Sequence, residues 1–174
     1  MKELILGGVR SGKSRLAEQN ARESALDVVY LATARAGEDA ELQQRIRLHR
    51  ERRPAHWQLV EEPYGLARAL RTHAAAHRCL LIECLTLWLT NLLCAQDESL
   101  LARERDALVE TLPGLPGHII LVGNEAGLGV VPLGEITRRF IDEAGRLHQE
   151  LARVCDRVIF TIAGLPHLLK GIRE

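Results

Sequence analysis

A short glycine-rich segment near the amino terminus constrains this chain more than any other feature. Residues 7–14 are Gly7-Gly8-Val9-Arg10-Ser11-Gly12-Lys13-Ser14, which match the pattern G-x-x-x-x-G-K-[ST]. Glycine permits a tight turn and lets main-chain N–H groups come close to phosphate oxygens. The apolar run Leu4-Ile5-Leu6 precedes this segment, and a helical pattern begins at Lys13. This strand–loop–helix context predicts a phosphate-binding loop that holds a nucleoside triphosphate.

Three side chains have predicted roles at this loop. Lys13 is expected to contact the β- and γ-phosphates, and Ser14 to ligate Mg²⁺. The positive end of the helix that follows points at the same anion. Glu83 ends the apolar run Leu80-Leu81-Ile82 and is the candidate acid beside the metal ion. The alternative for Glu83 is a purely local interaction with the dipole of the helix that starts near Leu85.

The order of apolar and helical patterns predicts an α/β fold. Short apolar runs, typical of buried strands, alternate with helical patterns along the whole chain. That alternation implies right-handed βαβ crossovers and a mostly parallel sheet covered on both faces. No repeat or linker interrupts it, so residues 1–174 are expected to form a single domain. The predicted strands are 4–6, 28–32, 57–61, 79–83, 118–123 and 157–162; the predicted helices are 13–24, 38–52, 65–76, 85–93, 99–112 and 135–154. The last dozen residues have no assignment.

Composition limits the possible partners. Lysine plus arginine and aspartate plus glutamate each number 23, so the formal net charge is zero, which argues against nucleic acid as a partner. No apolar run approaches ~18 residues, so no membrane span is expected. The first strand leaves no room for a signal peptide, and a cytoplasmic location is expected. The four cysteines form no C-x-x-C pair and are predicted to be free thiols, with a metal site as the alternative.

A basic segment surrounds one histidine. Residues 45–53 contain five arginines around His49, and helical spacing places His49 on a face with Leu42 and Ile46. One interpretation is a solvated basic helix with a half-buried imidazole. In the other, the arginines bind phosphates and His49 attacks phosphorus, because an imidazole with a pKa of ~6.5 is largely neutral at pH 7. Neighbouring positive charges favour the neutral form further, and guanidinium groups stabilise the transferring phosphate. The spacing alone leaves both interpretations open.

Several segments together resemble one known family, the bifunctional adenosylcobinamide kinase / adenosylcobinamide-phosphate guanylyltransferases of cobalamin biosynthesis. The resemblance spans nearly the whole chain. The phosphate loop has the family's Arg-Ser before Gly-Lys, and the basic segment matches its nucleotide-acceptor segment. The matching segments are 6–14, Tyr30-Leu31-Ala32-Thr33-Ala34, Arg45-Ile46 with His49, Arg53-Pro54 with Trp57, Leu81-Ile82-Glu83-Cys84-Leu85-Thr86, Thr90-Asn91-Leu92-Leu93, and Asn124-Glu125 with Gly127, Gly129 and Val131-Pro132.

This resemblance implies a P-loop NTPase with a RecA-like three-layer sandwich, assembled as a homotrimer. It implies that ATP or GTP phosphorylates adenosylcobinamide, that GTP guanylylates His49 with loss of pyrophosphate, and that cobinamide phosphate then takes the GMP. His49 and Lys13 are the implied catalytic residues, with Mg²⁺ held by Ser14 and Glu83. The implied nucleotide-binding residues are Gly7, Gly8, Val9, Arg10, Ser11, Gly12, Lys13, Ser14, Thr33, Ala34, Arg35, Arg50, Glu51, Arg52, Arg53, Glu61 and Glu83.

The chain departs from the family pattern at a few positions. Glu83 stands where many relatives have aspartate, His148 where many have asparagine, Gly123 where threonine or serine is frequent, and Leu48 where some have a second histidine. Asn124-Glu125 could shape a turn or contact a substrate. Two other functions remain open on sequence grounds: an ordinary small-molecule kinase without a covalent nucleotide, and a nucleotide-dependent switch or assembly module with helix 85–93 as its partner surface.

Overall fold

The computed structural model describes residues 1–35, 43, 44, 47 and 53–172. The strands are β1 (Lys2–Gly7), β2 (Asp27–Ala32), β3 (Gln58–Glu61), β4 (Arg78–Glu83), β5 (His118–Asn124), β6 (Arg157–Ile162) and β7 (Leu165–Lys170). The helices are α1 (Lys13–Glu23), α2 (Leu66–His73), α3 (Leu85–Leu93), α4 (Leu100–Thr111) and α5 (Glu135–Val154). Most of the predicted helix 38–52 lies outside the described residues; Gln43, Gln44 and Arg47 are helical and exposed.

The described strands form one seven-stranded sheet in the order β3-β2-β4-β5-β1-β6-β7. All neighbouring pairs are parallel except β6 and β7, which are antiparallel. The mostly parallel sheet predicted from the alternating patterns is therefore confirmed. β5 lies between β1 and β4 and pairs with both of them.

Helices cover both faces of the sheet, which gives three layers. Alternate residues of a strand point to opposite faces, and in β1 the side chains of Leu4 and Leu6 pack into one core while Ile5 packs into the other. The larger core takes its helical residues from α2, α3, α4 and α5. The smaller core lies under α1, through Ala17 and Ala21. Both layers leave the carboxyl ends of the strands open, which is where ligands bind in parallel α/β sheets.

One segment gains an assignment and one local prediction needs correction. Residues 165–170, which had no assignment, form the edge strand β7. Ser99 precedes α4 as expected, but its hydroxyl donates to Asp97 at 2.6 Å and does not cap the helix. Helix α3, which is mostly apolar, packs inside the chain through Leu85, Trp88, Leu89 and Leu92. In the part of the chain that the structure describes, no helix has both the length and the apolar character needed to cross a bilayer.

Candidate phosphate-transfer site

The segment after β1 forms a tight loop that opens directly into α1. Gly12, immediately before the helix, has a φ of 99°, a left-handed value that suits glycine. A Cβ at Gly12 would lie 3.0 Å from the Cα of Gly164 in the turn between β6 and β7. Among the residues that the structure describes, no side chain caps the first turn of α1. Its main-chain N–H groups are therefore available to an anion, as a phosphate-binding loop requires.

Lys13 is held inside this loop. Its side chain is buried, and Nζ donates to the main-chain oxygen of Gly8 at 3.0 Å. Burial lowers the pKa of Lys13, and the carboxylate of Glu83 opposes that effect. The ammonium group is thus folded back over the loop, where a bound triphosphate would replace the carbonyl as its partner.

Ser14 and Glu83 meet across two elements. Ser14 lies in the first turn of α1, Glu83 ends β4, and the Ser14 hydroxyl donates to Glu83 Oε1 at 2.8 Å. Burial raises the pKa of Glu83 to about 7, while the Ser14 hydrogen bond and the charge of Lys13 act in the opposite direction. A hydroxyl and a carboxylate oxygen at this separation are hard oxygen donors of the kind that Mg²⁺ uses together with phosphate oxygens. The predicted metal-binding pair is therefore brought together, and its donor set fits the ion.

A buried hydroxyl pair braces the loop from the side of β6. The hydroxyls of Ser11 and Thr161 lie 2.8 Å apart, and Thr161 also donates to the main-chain oxygen of Leu6 at 3.2 Å. A Cβ at Gly7 would lie only 2.3 Å from Thr161 Oγ1, so glycine is required where the chain leaves β1. Thr161 could not be identified from the sequence, because a threonine within an apolar strand carries no local signal of a distant partner.

The other predicted nucleotide contacts lie at the ends of β2 and β3. Thr33 is fully buried, with its hydroxyl bonded to the main chain of Cys84, whereas Ala34 is half-buried and Arg35 is exposed. Arg35 donates to the Tyr64 hydroxyl at 2.7 Å and lies over its ring. Glu61 ends β3 and is paired in register with Ala32 of β2. Contact of these four residues with nucleotide stays a prediction.

The basic segment is described only at its flanks. His49, Arg50, Glu51 and Arg52 lie outside the described residues. Arg53 is described, and its guanidinium lies 5.1 Å from the ring centroid of Tyr30. Burial and then the nearby Glu83 carboxylate raise the pKa of Tyr30, while Arg53 lowers it. Arg53 therefore lies against Tyr30 of β2, whose side chain packs into the core under α1.

An open cleft of about 440 Å³ adjoins the phosphate loop. One wall is the loop itself, Gly8 to Ser11, and another is the end of β6 with its turn, residues 160–163. Glu125 and Leu128, from the segment after β5, complete the lining. The Glu125 main-chain N–H donates to the oxygen of Gly7 at 3.0 Å, so this segment is attached to the phosphate loop. The cleft leaves open space beside the phosphate loop.

These features define a class of protein. A phosphate loop after β1, an acid at the end of β4, and β5 inserted between those strands make this chain a P-loop NTPase with a RecA-like sheet. A solved Pyrococcus horikoshii OT3 protein, the subject of structural project PH0250, covers 99% of this chain and 87% of its own with a TM-score of 0.57 at 11% identity. The RadB recombinase covers 91% and 73% with a TM-score of 0.51 at 15% identity. At these identities the likeness shows the fold alone.

Sequence comparison narrows the class to one family. Residues 3–169 match the model of the cobinamide kinase / cobinamide phosphate guanyltransferase family. The bifunctional adenosylcobalamin biosynthesis protein CobP of Pseudomonas aeruginosa is 64% identical over 171 residues, which covers 98% of each chain. The bifunctional adenosylcobalamin biosynthesis protein CobU of Escherichia coli K12 is 35% identical, covering 93% of this chain and 96% of its own. The chain belongs to this family, and it is an enzyme that combines a kinase with a nucleotidyltransferase.

Proposed function

We propose that this enzyme phosphorylates the aminopropanol hydroxyl of adenosylcobinamide and then converts the product to adenosylcobinamide-GDP through a guanylyl-histidine at His49. Membership of the family and the names of its relatives support the substrate. The observation that carries the proposal is the convergence of Lys13, Ser14 and Glu83 on one phosphate site at the carboxyl edge of the sheet. A monofunctional kinase would need the same loop but no covalent nucleotide.

The kinase half uses the phosphate loop directly. Main-chain N–H groups of residues 8–13 and the Lys13 ammonium bind the triphosphate, with either ATP or GTP as donor. Mg²⁺, bound by Ser14 and Glu83, would neutralise charge on the phosphate oxygens. The hydroxyl oxygen of cobinamide attacks the γ-phosphorus, the bond to the bridging oxygen breaks, and the nucleoside diphosphate leaves. Lys13 stabilises the charge that develops on that leaving group.

The transferase half passes GMP through His49. A ring nitrogen attacks the α-phosphorus of GTP, pyrophosphate leaves, and a phosphoramidate forms. A phosphate oxygen of cobinamide phosphate then attacks the same phosphorus, and the P–N bond breaks to restore His49. The Arg53–Tyr30 contact supports this assignment, because it holds the chain four residues beyond His49 against β2, the neighbour of the strand that ends in Glu83. Arg50, Arg52 and Arg53 would bind the phosphates, with Thr33, Ala34, Arg35, Glu51 and Glu61 as further nucleotide contacts.

Exposed apolar side chains support assembly into a homotrimer. On the edge strand β7, Leu165 and Leu169 are 64% and 65% exposed, and the adjoining Ile162 is 54% exposed. A strand edge with apolar side chains is a site where chains associate. The proposed reactions also assign the enzyme to the cytoplasm, where both ATP and GTP are available.

Mass spectrometry after incubation with GTP alone tests the transferase half. The expected result is a mass increase of one guanylyl group with release of pyrophosphate, and a modified peptide that contains His49. The adduct should be labile in acid and stable in alkali, as a phosphoramidate is. His49→Ala should abolish it. His56→Ala, which removes an exposed histidine of the same region, is the matched control and should keep it. An adduct that persists in His49→Ala would exclude His49 as the acceptor.

A further inference from the structure

Glu125 is a carboxylate fixed at the phosphate loop that the reactions above do not use. It follows β5, the strand between the phosphate-loop strand β1 and the acid-bearing strand β4. Its main-chain N–H donates to Gly7, and its Oε1 accepts the Gly127 N–H at 2.6 Å. The side chain lines the cleft with residues 8–11. Main-chain contacts on both sides therefore hold this carboxylate where a phosphoryl acceptor would enter.

A buried histidine stands behind this carboxylate. His148 of α5 has only 9% of its side chain exposed, and its Nδ1 lies 3.7 Å from Glu125 Oε2. Among the described residues Nδ1 has no hydrogen-bond partner. A Cβ at Gly123 would lie 3.1 Å from His148 Nε2, so the missing side chain there lets the imidazole pack against β5. Buried polar atoms normally have hydrogen-bond partners. Nδ1 of His148, which has none among the described residues, lies 3.7 Å from a carboxylate in a cleft, and this indicates that the two groups act together.

The surroundings of His148 favour the neutral imidazole. Burial lowers the pKa of His148, and the Glu125 carboxylate only partly opposes this effect. A neutral imidazole can direct its Nδ1–H at Glu125 Oε2. A shift of less than an ångström would turn the 3.7 Å approach into a hydrogen bond. The carboxylate would then be held on one oxygen by Gly127 and on the other by His148.

We propose that Glu125 is the catalytic base of the kinase reaction and that His148 is the positioning residue that aims it. The proposal rests on the kinase activity proposed above. As the acceptor hydroxyl oxygen bonds to the γ-phosphorus, its proton passes to the Glu125 carboxylate. The electron pair of the broken phosphoanhydride bond leaves on the β-phosphate oxygen of the nucleoside diphosphate. Glu125 later loses the proton to water, which restores the carboxylate.

The other carboxylates at this edge are less suited to the task. Glu83 accepts the Ser14 hydroxyl and belongs to the metal-binding pair. Glu61 ends β3, which is four strands away from β1, a distance of about 19 Å at the usual strand spacing. Glu125 alone of these three lines the cleft beside the phosphate loop. The opposite wall of that cleft carries Phe160 and Ile162, which suit an organic alcohol better than a water molecule.

Glu125→Gln tests the base with two assays on one protein. Phosphorylation of cobinamide should fall roughly 10²- to 10⁴-fold in kcat, the usual contribution of a general base, with little change in KM. Pyrophosphate release from GTP without cobinamide should continue at the wild-type rate, because that step involves no acceptor hydroxyl. Glu98→Gln changes an exposed glutamate in the same way and should leave both rates unaltered. A Glu125→Gln enzyme with wild-type phosphorylation, or with both reactions lost together, would overturn the assignment.

A second pair of variants tests His148. Asparagine can place a donor near the position of Nδ1, whereas leucine fills similar space without one. His148→Leu should lower the kinase kcat by roughly 10- to 100-fold, the effect of a misplaced reacting group, and leave KM for cobinamide unchanged. His148→Asn should recover most of the lost rate. Equal activity in both variants would remove the positioning role. A wild-type enzyme that releases pyrophosphate but never phosphorylates cobinamide would overturn the proposed function itself, and this assignment with it.

Discussion

The hydroxyl of Thr33 donates to the main-chain oxygen of Cys84 at 2.7 Å and accepts the main-chain N–H of the same residue at 2.8 Å. Thr33 follows β2, and Cys84 follows β4, so this pair joins the carboxyl ends of two neighbouring strands. The main-chain N–H of Thr33 also donates to the oxygen of Glu83 at 3.2 Å. Glu83, whose carboxylate is proposed to bind the metal ion, is thereby held from the adjacent strand.

Removing this hydroxyl should destabilise the protein measurably. Thr33→Val keeps the shape but leaves the buried N–H of Cys84 without the hydroxyl that accepts it. It also removes one of the two donors to the oxygen of Cys84, the other being the N–H of Trp88. The free energy of unfolding should fall by roughly 1–3 kcal/mol, the cost of unsatisfied buried polar groups. Urea unfolding measures the change. Thr33→Ser retains the hydroxyl and should lose less; a serine variant as unstable as the valine variant would show that the methyl group matters more than the hydrogen bonds.

Two adjacent glycines should respond differently to alanine. At Gly7 a new Cβ would clash with Thr161 and with Ser11 Oγ, 2.5 Å away, whereas at Gly8 no atom of the described part of the chain lies within 4 Å of it. Gly7→Ala should lower the free energy of unfolding by roughly 1–3 kcal/mol, as overpacking does. Gly8→Ala should change it by less than about 0.5 kcal/mol. Thermal unfolding of both variants provides the comparison, and equal stability of the two would contradict the tight packing at Gly7.

The Ser14–Glu83 pair should govern the need for magnesium. Glu83→Gln keeps the size of the side chain but removes the charge that attracts the cation. Both reactions should slow by at least roughly 100-fold, because a metal ion contributes several kcal/mol of charge stabilisation. The measurement is the rate of pyrophosphate release as Mg²⁺ is titrated. Ser14→Thr preserves the hydroxyl and serves as the control. Unchanged rate and unchanged Mg²⁺ dependence in the glutamine variant would refute the metal-binding role of Glu83.

His118 should make stability depend on pH. It is buried in β5, and burial, with the positive charges of the amino terminus, Arg157 and Lys2, lowers its pKa from 6.5 to about 4. Between pH 6.5 and about 4, His118 therefore takes up a proton in the unfolded chain but not in the folded protein. Stability is complete above pH 6.5 and is lost as the pH falls from 6.5 towards 4, by on the order of 3 kcal/mol. Urea unfolding at several pH values should show that the free energy of unfolding falls less in acid for His118→Phe than for wild type. Parallel curves would contradict the prediction.

A charge on the edge strand should dissociate the proposed trimer. Leu169→Asp places a carboxylate at a 65% exposed apolar position of β7. Burying that charge between chains would cost more free energy than the apolar contact contributes. Light scattering should then report monomers, while Ala102→Asp, at an exposed position of α4, should leave the mass unchanged. A monomeric wild-type protein would contradict the trimer directly.

Features that depend on local pattern could be predicted from the sequence. The phosphate loop, the parallel sheet and the acid at the end of β4 follow from apolar runs and from glycine spacing, and the structure brings Ser14 and Glu83 together as expected. β7 could not be predicted in this way. It includes Pro166 and His167 and is exposed on both faces over most of its length, so it shows no alternation of apolar and polar residues.

Contacts between distant segments could not be predicted either. Ser11 and Thr161 are separated by 150 positions in the chain, and only the pairing of β1 with β6 brings them together. Nucleotide contact by Thr33 stays a prediction, while its hydrogen bond to Cys84 joins the ends of β2 and β4 and could not be read from the sequence. The buried His148 became a partner for Glu125 only through the packing of α5, which residue spacing does not specify.

The turn between the last two strands has a consequence for truncated forms of this enzyme. The N–H of Gly164 donates to the oxygen of Ser11 at 2.9 Å, and its Cα lies against Gly12. A chain ending after α5 would retain every residue of the glycine-rich motif and still lack the atoms that brace it. The motif is contiguous in sequence, but Thr161 and Gly164, which brace it through hydrogen bonds to Ser11, lie near the opposite end of the chain.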